Sequence, residues 1–161
     1  AFQGKMYPLP LMEKVIKNLN DTDKYNIILF GGGKKEAEVL NTWKLQYSNC
    51  HNAAGQLTFS DELSLISNLK LMLAMDSGNA HLAAMYAVPT VTIWGITHPY
   101  AGFYPFNQPK NNALLSDRNK FPAIPTSIYG NKYPEGYESV MESIKPETVV
   151  AKVIEVLNAN V

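Results

Sequence analysis

The chain has only one cysteine, Cys50, so no internal disulfide can hold it and its fold must rest on buried apolar side chains. That usage suits a reducing compartment, and Cys50 itself reads as a small, partly buried residue. Excess charge is missing as well: fourteen basic and fourteen acidic residues leave a formal net charge of zero. There is then no general electrostatic drive toward nucleic acid, and any anion recognition must be local. No apolar run approaches the roughly 20 residues of a membrane span, and there is no signal-peptide pattern at Ala1. Internal repeats and low-complexity tracts are absent. His51, His81 and His98 lie on separate segments without paired ligand spacing, which gives a metal site little support. With 161 residues the chain is the size of one domain, residues 1–161, and can bury a core of its own.

What is present is an alternation of short apolar runs and amphipathic stretches. After Pro8 and Pro10, the segment Leu11 to Leu19 carries apolar residues at helical spacing. Tyr25-Asn26-Ile27-Ile28-Leu29-Phe30 reads as a buried strand closing in Gly31-Gly32-Gly33, and Lys34 to about Tyr47 restores a helical period. A short extended piece at Cys50 to Asn52 precedes a helix for which Ser60 is the expected N-cap, with Asp61 and Glu62 in its first turn. Leu71 to Met75 and Thr90 to Trp94 are apolar or β-branched strands, and Ala113 to Ser116 is a further short one. A closing helix runs from Pro146 through Leu157. Between Gly95 and about Tyr137, prolines at Pro99, Pro105, Pro109, Pro122, Pro125 and Pro134 interrupt any long element. The alternation predicts an α/β fold, a Rossmann-like doubly wound parallel sheet with flanking helices.

The most informative run is Met75-Asp76-Ser77-Gly78-Asn79-Ala80-His81-Leu82-Ala83-Ala84. Asp76 ends a strand, Ser77 and Gly78 turn the chain, and Asn79 to Ala87 is expected to form a helix with Leu82, Ala83 and Tyr86 inward. Such a turn gathers free amides and the positive end of a helix dipole, which favours a phosphate or another anion. Ligands of open parallel sheets bind beyond the carboxyl ends of the strands. The same residues also fit a plain cap, with Asp76 or Ser77 closing the helix and His81 packed in its first turn.

Three motifs fail on spacing. The glycine triplet before Lys34 lacks the earlier Gly of a phosphate loop, where Ile28 stands, and the following Ser or Thr, where Lys35 stands. It also lacks the third Gly of a dinucleotide fingerprint, a place taken by Glu36. Ser77 is not a nucleophile elbow, since Met75 occupies the first Gly position.

Taken together, the residues resemble the C-terminal domain of the glycosyltransferase family 9 heptosyltransferases. Asp76-Ser77-Gly78-Asn79-Ala80-His81-Leu82-Ala83-Ala84 is similar to the family's Asp-Ser/Thr-Gly-x-x-His-Leu-x-Ala segment, and Trp94-Gly95-Ile96-Thr97 to its aromatic-Gly-x-Thr turn. Upstream, Gly4-Lys5-Met6-Tyr7-Pro8 is similar to a Lys-aromatic-Pro turn, and Gly32 with Glu36 to a Gly-x-x-x-Glu helix opening. His98, where the family often has an acid before Pro, departs from the pattern, and the loop from Tyr100 to Tyr137 does not align.

The resemblance implies the nucleotide-sugar-binding half of a two-domain GT-B enzyme, inverting and metal-independent, that uses ADP-heptose in lipopolysaccharide core or related surface-glycan synthesis. Lys5 would neutralise donor phosphate; Ser77, Gly78 and Asn79 would donate to the diphosphate; His81 would stabilise the leaving group with Lys5. Asp76 would orient the turn, Glu36 would meet the ribose, Leu57 would pack near the base, and Thr97 would add a phosphate contact. No catalytic base is expected in this chain: the base and the acceptor site would lie on an N-terminal domain absent from it, and Ala1 falls close to the end of the family's first donor-domain strand. The implied partners are a nucleotide-diphosphate sugar, that domain, and a lipid-linked or glycan acceptor, with no cofactor, at the cytoplasmic side of a bacterial inner membrane. A noncatalytic nucleotide-binding or interaction domain, and a nucleotide-sugar epimerase of GT-B shape, are the rival readings.

Overall fold

The computed structural model describes residues 2–159. Its elements run, in chain order, α1 (Leu9–Asn20), β1 (Ile27–Leu29), α2 (Lys34–Gln46), β2 (Cys50–Asn52), α3 (Phe59–Ser67), β3 (Met72–Met75), α4 (Gly78–Met85), β4 (Thr90–Trp94), β5 (Ala113–Leu115) and α5 (Pro146–Ala159), with short 3-10 turns between them. All strand pairs are parallel: β1 with β2 in register Ile28 to His51, β3 with β4 in register Leu73 to Val91, and β4 with β5 in register Ile93 to Leu114. The expected parallel α/β fold is therefore present. Its sheet, however, is in two pieces, β1-β2 and β3-β4-β5, with no ladder between β1 and β3.

Period-two alternation sends the side chains of β3 and β4 to opposite faces. On one face Val91 and Ile93 pack with Val15 and Leu19 of α1 and with Val149, Val153 and Val156 of α5. On the other, Met72 and Ala74 pack with Ile66 of α3 and Ala80 and Ala83 of α4. Helices thus cover both faces, and β4 is buried at every residue. Burying a side chain such as Ile93 contributes about 2–3 kcal/mol. A third cluster joins Leu40 and Trp43 of α2 to Leu29, Cys50 and Ile16. Burial there pushes the Cys50 thiol up to about 11, so it is a poor nucleophile at neutral pH.

Several local expectations are corrected. The cap of α3 is Thr58, not Ser60: Thr58 Oγ1 accepts from Asp61 N–H at 3.2 Å and donates to Asp61 Oδ2 at 2.6 Å. α1 starts at Leu9, with Pro10 in its first turn where no intrahelical N–H is needed. α4 begins at Gly78 and ends at Met85, and Ala87 takes φ 58°, outside any helix. Tyr86 therefore does not face inward; it caps α4 and is exposed, while Ala80, Ala83 and Ala84 fill the inner face.

Candidate functional site

The carboxyl ends of β3 and β4 bring Lys5, Asp76 and Thr97 together. Asp76 follows Met75 directly and is buried, and Lys5 Nζ lies 2.8 Å from its Oδ2. Lys5 reaches this point because its neighbours admit close backbone approach. Gly4 C=O accepts from Ile96 N–H at 3.1 Å, and a Cβ on Gly95 would lie 2.3 Å from that carbonyl oxygen. Gly130, at φ +76°, lies over the Lys5 stem, where a Cβ would stand 2.3 Å from Lys5 Cγ and 3.4 Å from Thr97 Cγ2. Gly130 belongs to the proline- and aromatic-rich loop, which is anchored here by Thr126 N–H donating to Ile96 C=O.

Hydrogen bonding sets this corner apart from the rest of β4. Thr90 Oγ1 donates to Val88 C=O, Trp94 Nε1 donates to Thr92 Oγ1, and Ser116 Oγ donates to Trp94 C=O, all buried and all satisfied. By contrast, Thr97 Oγ1 is a buried side-chain oxygen without a hydrogen-bond partner within the described residues, and Asp76 Oδ2 is met by the Lys5 ammonium. A buried hydroxyl left unpaired costs free energy unless something bonds to it.

The turn after Asp76 supplies the second half of the site. Ser77 is the N-cap of α4 in an extended conformation, yet its side chain makes no cap hydrogen bond. Its hydroxyl and the first amides of α4 are thereby left available at the positive end of that helix. Asn79 is half-buried, Gly78 exposed, and His81, one turn into α4, half-buried with no hydrogen bond among the described residues. The plain cap reading of Ser77 does not hold geometrically.

The remaining predicted residues stand further off. Glu36, in the first turn of α2, accepts from Gly32 N–H at 2.7 Å, so its carboxylate closes its own glycine loop. With Ser77 and Asn79 it is among the residues lining a cavity of about 670 Å³ between β1 and β3. Leu57 is exposed in the loop before α3. His98 is buried beside the cluster; its Nδ1 accepts from Tyr100 N–H at 3.1 Å, which requires a neutral ring. Burial, reinforced by the Arg118 charge, holds its pKa below the usual 6.5. Among the described residues no three His, Cys, Asp or Glu side chains gather as a metal site, and no helix is long and apolar enough to cross a membrane. Sequence reasoning missed Gly130, whose only signal was a glycine within an unaligned loop.

In open parallel α/β sheets ligands bind beyond the carboxyl ends of the strands, which is where Lys5, Asp76 and the unpartnered Thr97 hydroxyl lie. The particular family follows from comparison: the profile of glycosyltransferase family 9 (heptosyltransferase) matches residues 1–131, and the chain belongs to that family. Lipooligosaccharide heptosyltransferase 2 of Campylobacter jejuni is 28% identical over 136 residues, which is 82% of this chain and 41% of that protein. Lipopolysaccharide heptosyltransferase 2 of Escherichia coli K12 is 28% identical, matching 97% of this chain and 42% of its own length. The solved E. coli ADP-heptose LPS heptosyltransferase II shares the fold with a TM-score of 0.71 at 23% identity, over 98% of this chain and 44% of that one. The chain thus spans less than half the length of these relatives.

Proposed function

We propose that this chain is the donor-binding half of an inverting glycosyltransferase that takes a nucleotide-diphosphate sugar, ADP-heptose by analogy with its relatives, and acts in lipopolysaccharide core or related surface-glycan synthesis. The observation that carries the reading is the unpartnered Thr97 hydroxyl, buried in a residue that shares the Gly130 contact with the stem of Lys5, whose ammonium pairs with Asp76. A diphosphate oxygen placed there would accept from Thr97 Oγ1, from Lys5 and from the free amides of Gly78 and Asn79. Lys5 carries three N–H donors, and Asp76 engages one direction, so the ammonium is positioned by the carboxylate and still open to phosphate. Asp76 acts through Lys5, since a carboxylate facing a phosphate directly would repel it.

The chemistry is displacement of the nucleoside diphosphate by an acceptor hydroxyl, with inversion at the sugar carbon. Charge grows on the departing diphosphate, and fixed donors that meet it lower the barrier. Lys5, the α4 terminus and His81, whose ring is free to donate, supply that stabilisation without calling on a metal or another cofactor. Glu36 and Leu57 would meet ribose and base. The acceptor hydroxyl needs a base, which this reading assigns to an N-terminal acceptor domain beyond residues 1–161, acting on a lipid-linked or glycan acceptor at the cytoplasmic face of the membrane. Calorimetric titration with ADP-, UDP-, GDP- and CMP-sugars tests this. ADP-sugar should bind best, Lys5→Ala and His81→Ala should each weaken it about tenfold or more, and residues 1–161 should show no transferase turnover. Affinity unchanged in both variants overturns the site.

A further inference from the structure

The order of groups along the carboxyl edge of the sheet gives a bound donor a direction. Resting on the donor-site reading above, we propose that the loop of residues 126–132 walls the subsite of the transferred sugar. The ring of Tyr129 is the residue that meets the sugar's apolar face, and it makes the site prefer a nucleotide sugar to the bare nucleotide.

Glu36 follows β1, Ser77 and the first amides of α4 follow β3, and Thr97 follows β4. Glu36, Ser77 and Asn79 all line the cavity between β1 and β3, and β4 pairs with β3. A donor whose ribose meets Glu36 and whose diphosphate meets Lys5, Thr97 and the α4 amides therefore lies across the edge from β1 toward β4. What leaves the diphosphate on the β4 side is the sugar. Gly130 is the group that stands there: a Cβ on it would lie 3.4 Å from Thr97 Cγ2 and 2.3 Å from Lys5 Cγ.

The loop that carries Gly130 is tied at its base and through its middle. Thr126 N–H donates to Ile96 C=O at 3.0 Å, and Thr126 Oγ1 donates to Lys132 C=O at 2.8 Å, which closes the loop on itself. Inside it, Ser127 Oγ accepts from Gly130 N–H at 3.1 Å and donates to Asn131 Oδ1 at 2.8 Å. Gly130, at φ +76°, supplies a backbone conformation that a side chain would strain. A loop bonded in this way presents its tip already ordered, which lowers the entropic cost of meeting a ligand.

The tip is Ile128 and Tyr129, 55% and 67% exposed and next to Gly130 in sequence. Single exposed apolar residues are ordinary on a protein surface, but these two stand side by side on a tied loop at the ligand-bearing edge of the sheet. The core does not use them: among the described residues neither belongs to a buried cluster, and the Tyr129 hydroxyl makes no hydrogen bond. A sugar ring carries C–H groups on its faces and hydroxyls around its rim, and a tyrosine offers a broad apolar face with a polar tip to match. A phosphate calls instead on charge and N–H donors, which Lys5 and the start of α4 supply. The two ends of the donor are thus read by different residues, the nucleotide by Lys5 and the sugar by Tyr129.

Calorimetry of residues 1–161 with ADP and with ADP-heptose, in the parent and in single variants, separates those two ends. The parent should bind ADP-heptose more tightly than ADP. Tyr129→Ala should leave ADP affinity unchanged and weaken ADP-heptose about fivefold, and Tyr129→Phe should keep the parent's preference. Tyr86→Ala removes an exposed tyrosine at the far end of α4 and should change neither ligand. Lys5→Ala should weaken both ligands together. ADP affinity unchanged in Lys5→Ala overturns the donor-site reading and this inference with it. ADP affinity lost in Lys5→Ala, with the preference for ADP-heptose intact in Tyr129→Ala, overturns the sugar subsite alone. Equal weakening of both ligands by Tyr129→Ala also overturns it, since the ring would then serve the nucleotide or the fold. So does a Tyr129→Phe variant as weak as Tyr129→Ala, or a parent that binds the two ligands equally.

Discussion

β4 and β1 are both short apolar strands of one parallel fold, yet they live in different surroundings. β4 is paired on both edges, covered on both faces, and buried from Thr90 to Trp94. β1 is paired on one edge, and Ile27 and Ile28 are only half-buried beside the cavity. Apolar composition does not by itself bury a strand; a neighbour on each edge does. The paired side of the sheet carries the Lys5–Asp76 pair, with Gly4, Gly95 and Gly130 in close approach around it, while the side at β1 borders the cavity.

The comparison can be broken most severely at the two isoleucines. Ile93→Ala should cost about 3–4 kcal/mol in urea unfolding, since a fully buried strand cannot close over the lost volume, whereas Ile28→Ala should cost about 1 kcal/mol or less. Equal losses would mean that β1 is as well packed as β4. Next in size is the glycine pair. Gly95→Ala places a Cβ 2.3 Å from Gly4 O and 3.0 Å from Met141 Sδ, and should cost about 2 kcal/mol and displace Lys5. Gly78→Ala meets nothing within 4 Å at the start of α4 and should be neutral or gain about 0.5 kcal/mol.

The smallest effect is on pH. The folded-state pKa of His98 lies below 6.5, so the unfolded chain takes up its proton first as pH falls. The His98 contribution to stability should therefore be constant above about pH 7 and decline below 6.5, with its loss complete once the folded value is passed. His98→Asn, which keeps an acceptor for Tyr100 N–H, should lack that component when urea midpoints are compared from about pH 8 to about pH 5.

Much of this was legible in the chain because buried parallel strands announce themselves as short apolar runs closed by Gly, Asp or Pro. Leu71 to Met75 and the Asp76-Ser77-Gly78 turn stood out for that reason, and the motif order from Lys5 to Thr97 pointed to the family that the profile match established. Edge pairing was not legible, since Ile27-Ile28-Leu29 looks the same with one neighbour or two. Nor was the burial of Thr97, which depends on Gly130 more than thirty positions later folding back over Lys5. The α3 cap is legible in the chain: Thr58-Phe59-Ser60-Asp61 carries the capping-box spacing, with the acid three residues after the hydroxyl.

Thr97→Val tests the central claim most directly, because it replaces an unpartnered buried hydroxyl by a methyl of nearly the same shape and leaves Lys5 and Asp76 in place. If the hydroxyl serves a diphosphate, the variant should be at least as stable as the parent, while calorimetry should show ADP-sugar affinity falling about tenfold. Undiminished affinity, or a fold weakened by more than about 1 kcal/mol, would contradict the account, since Thr97 would then be a structural residue and not a ligand contact.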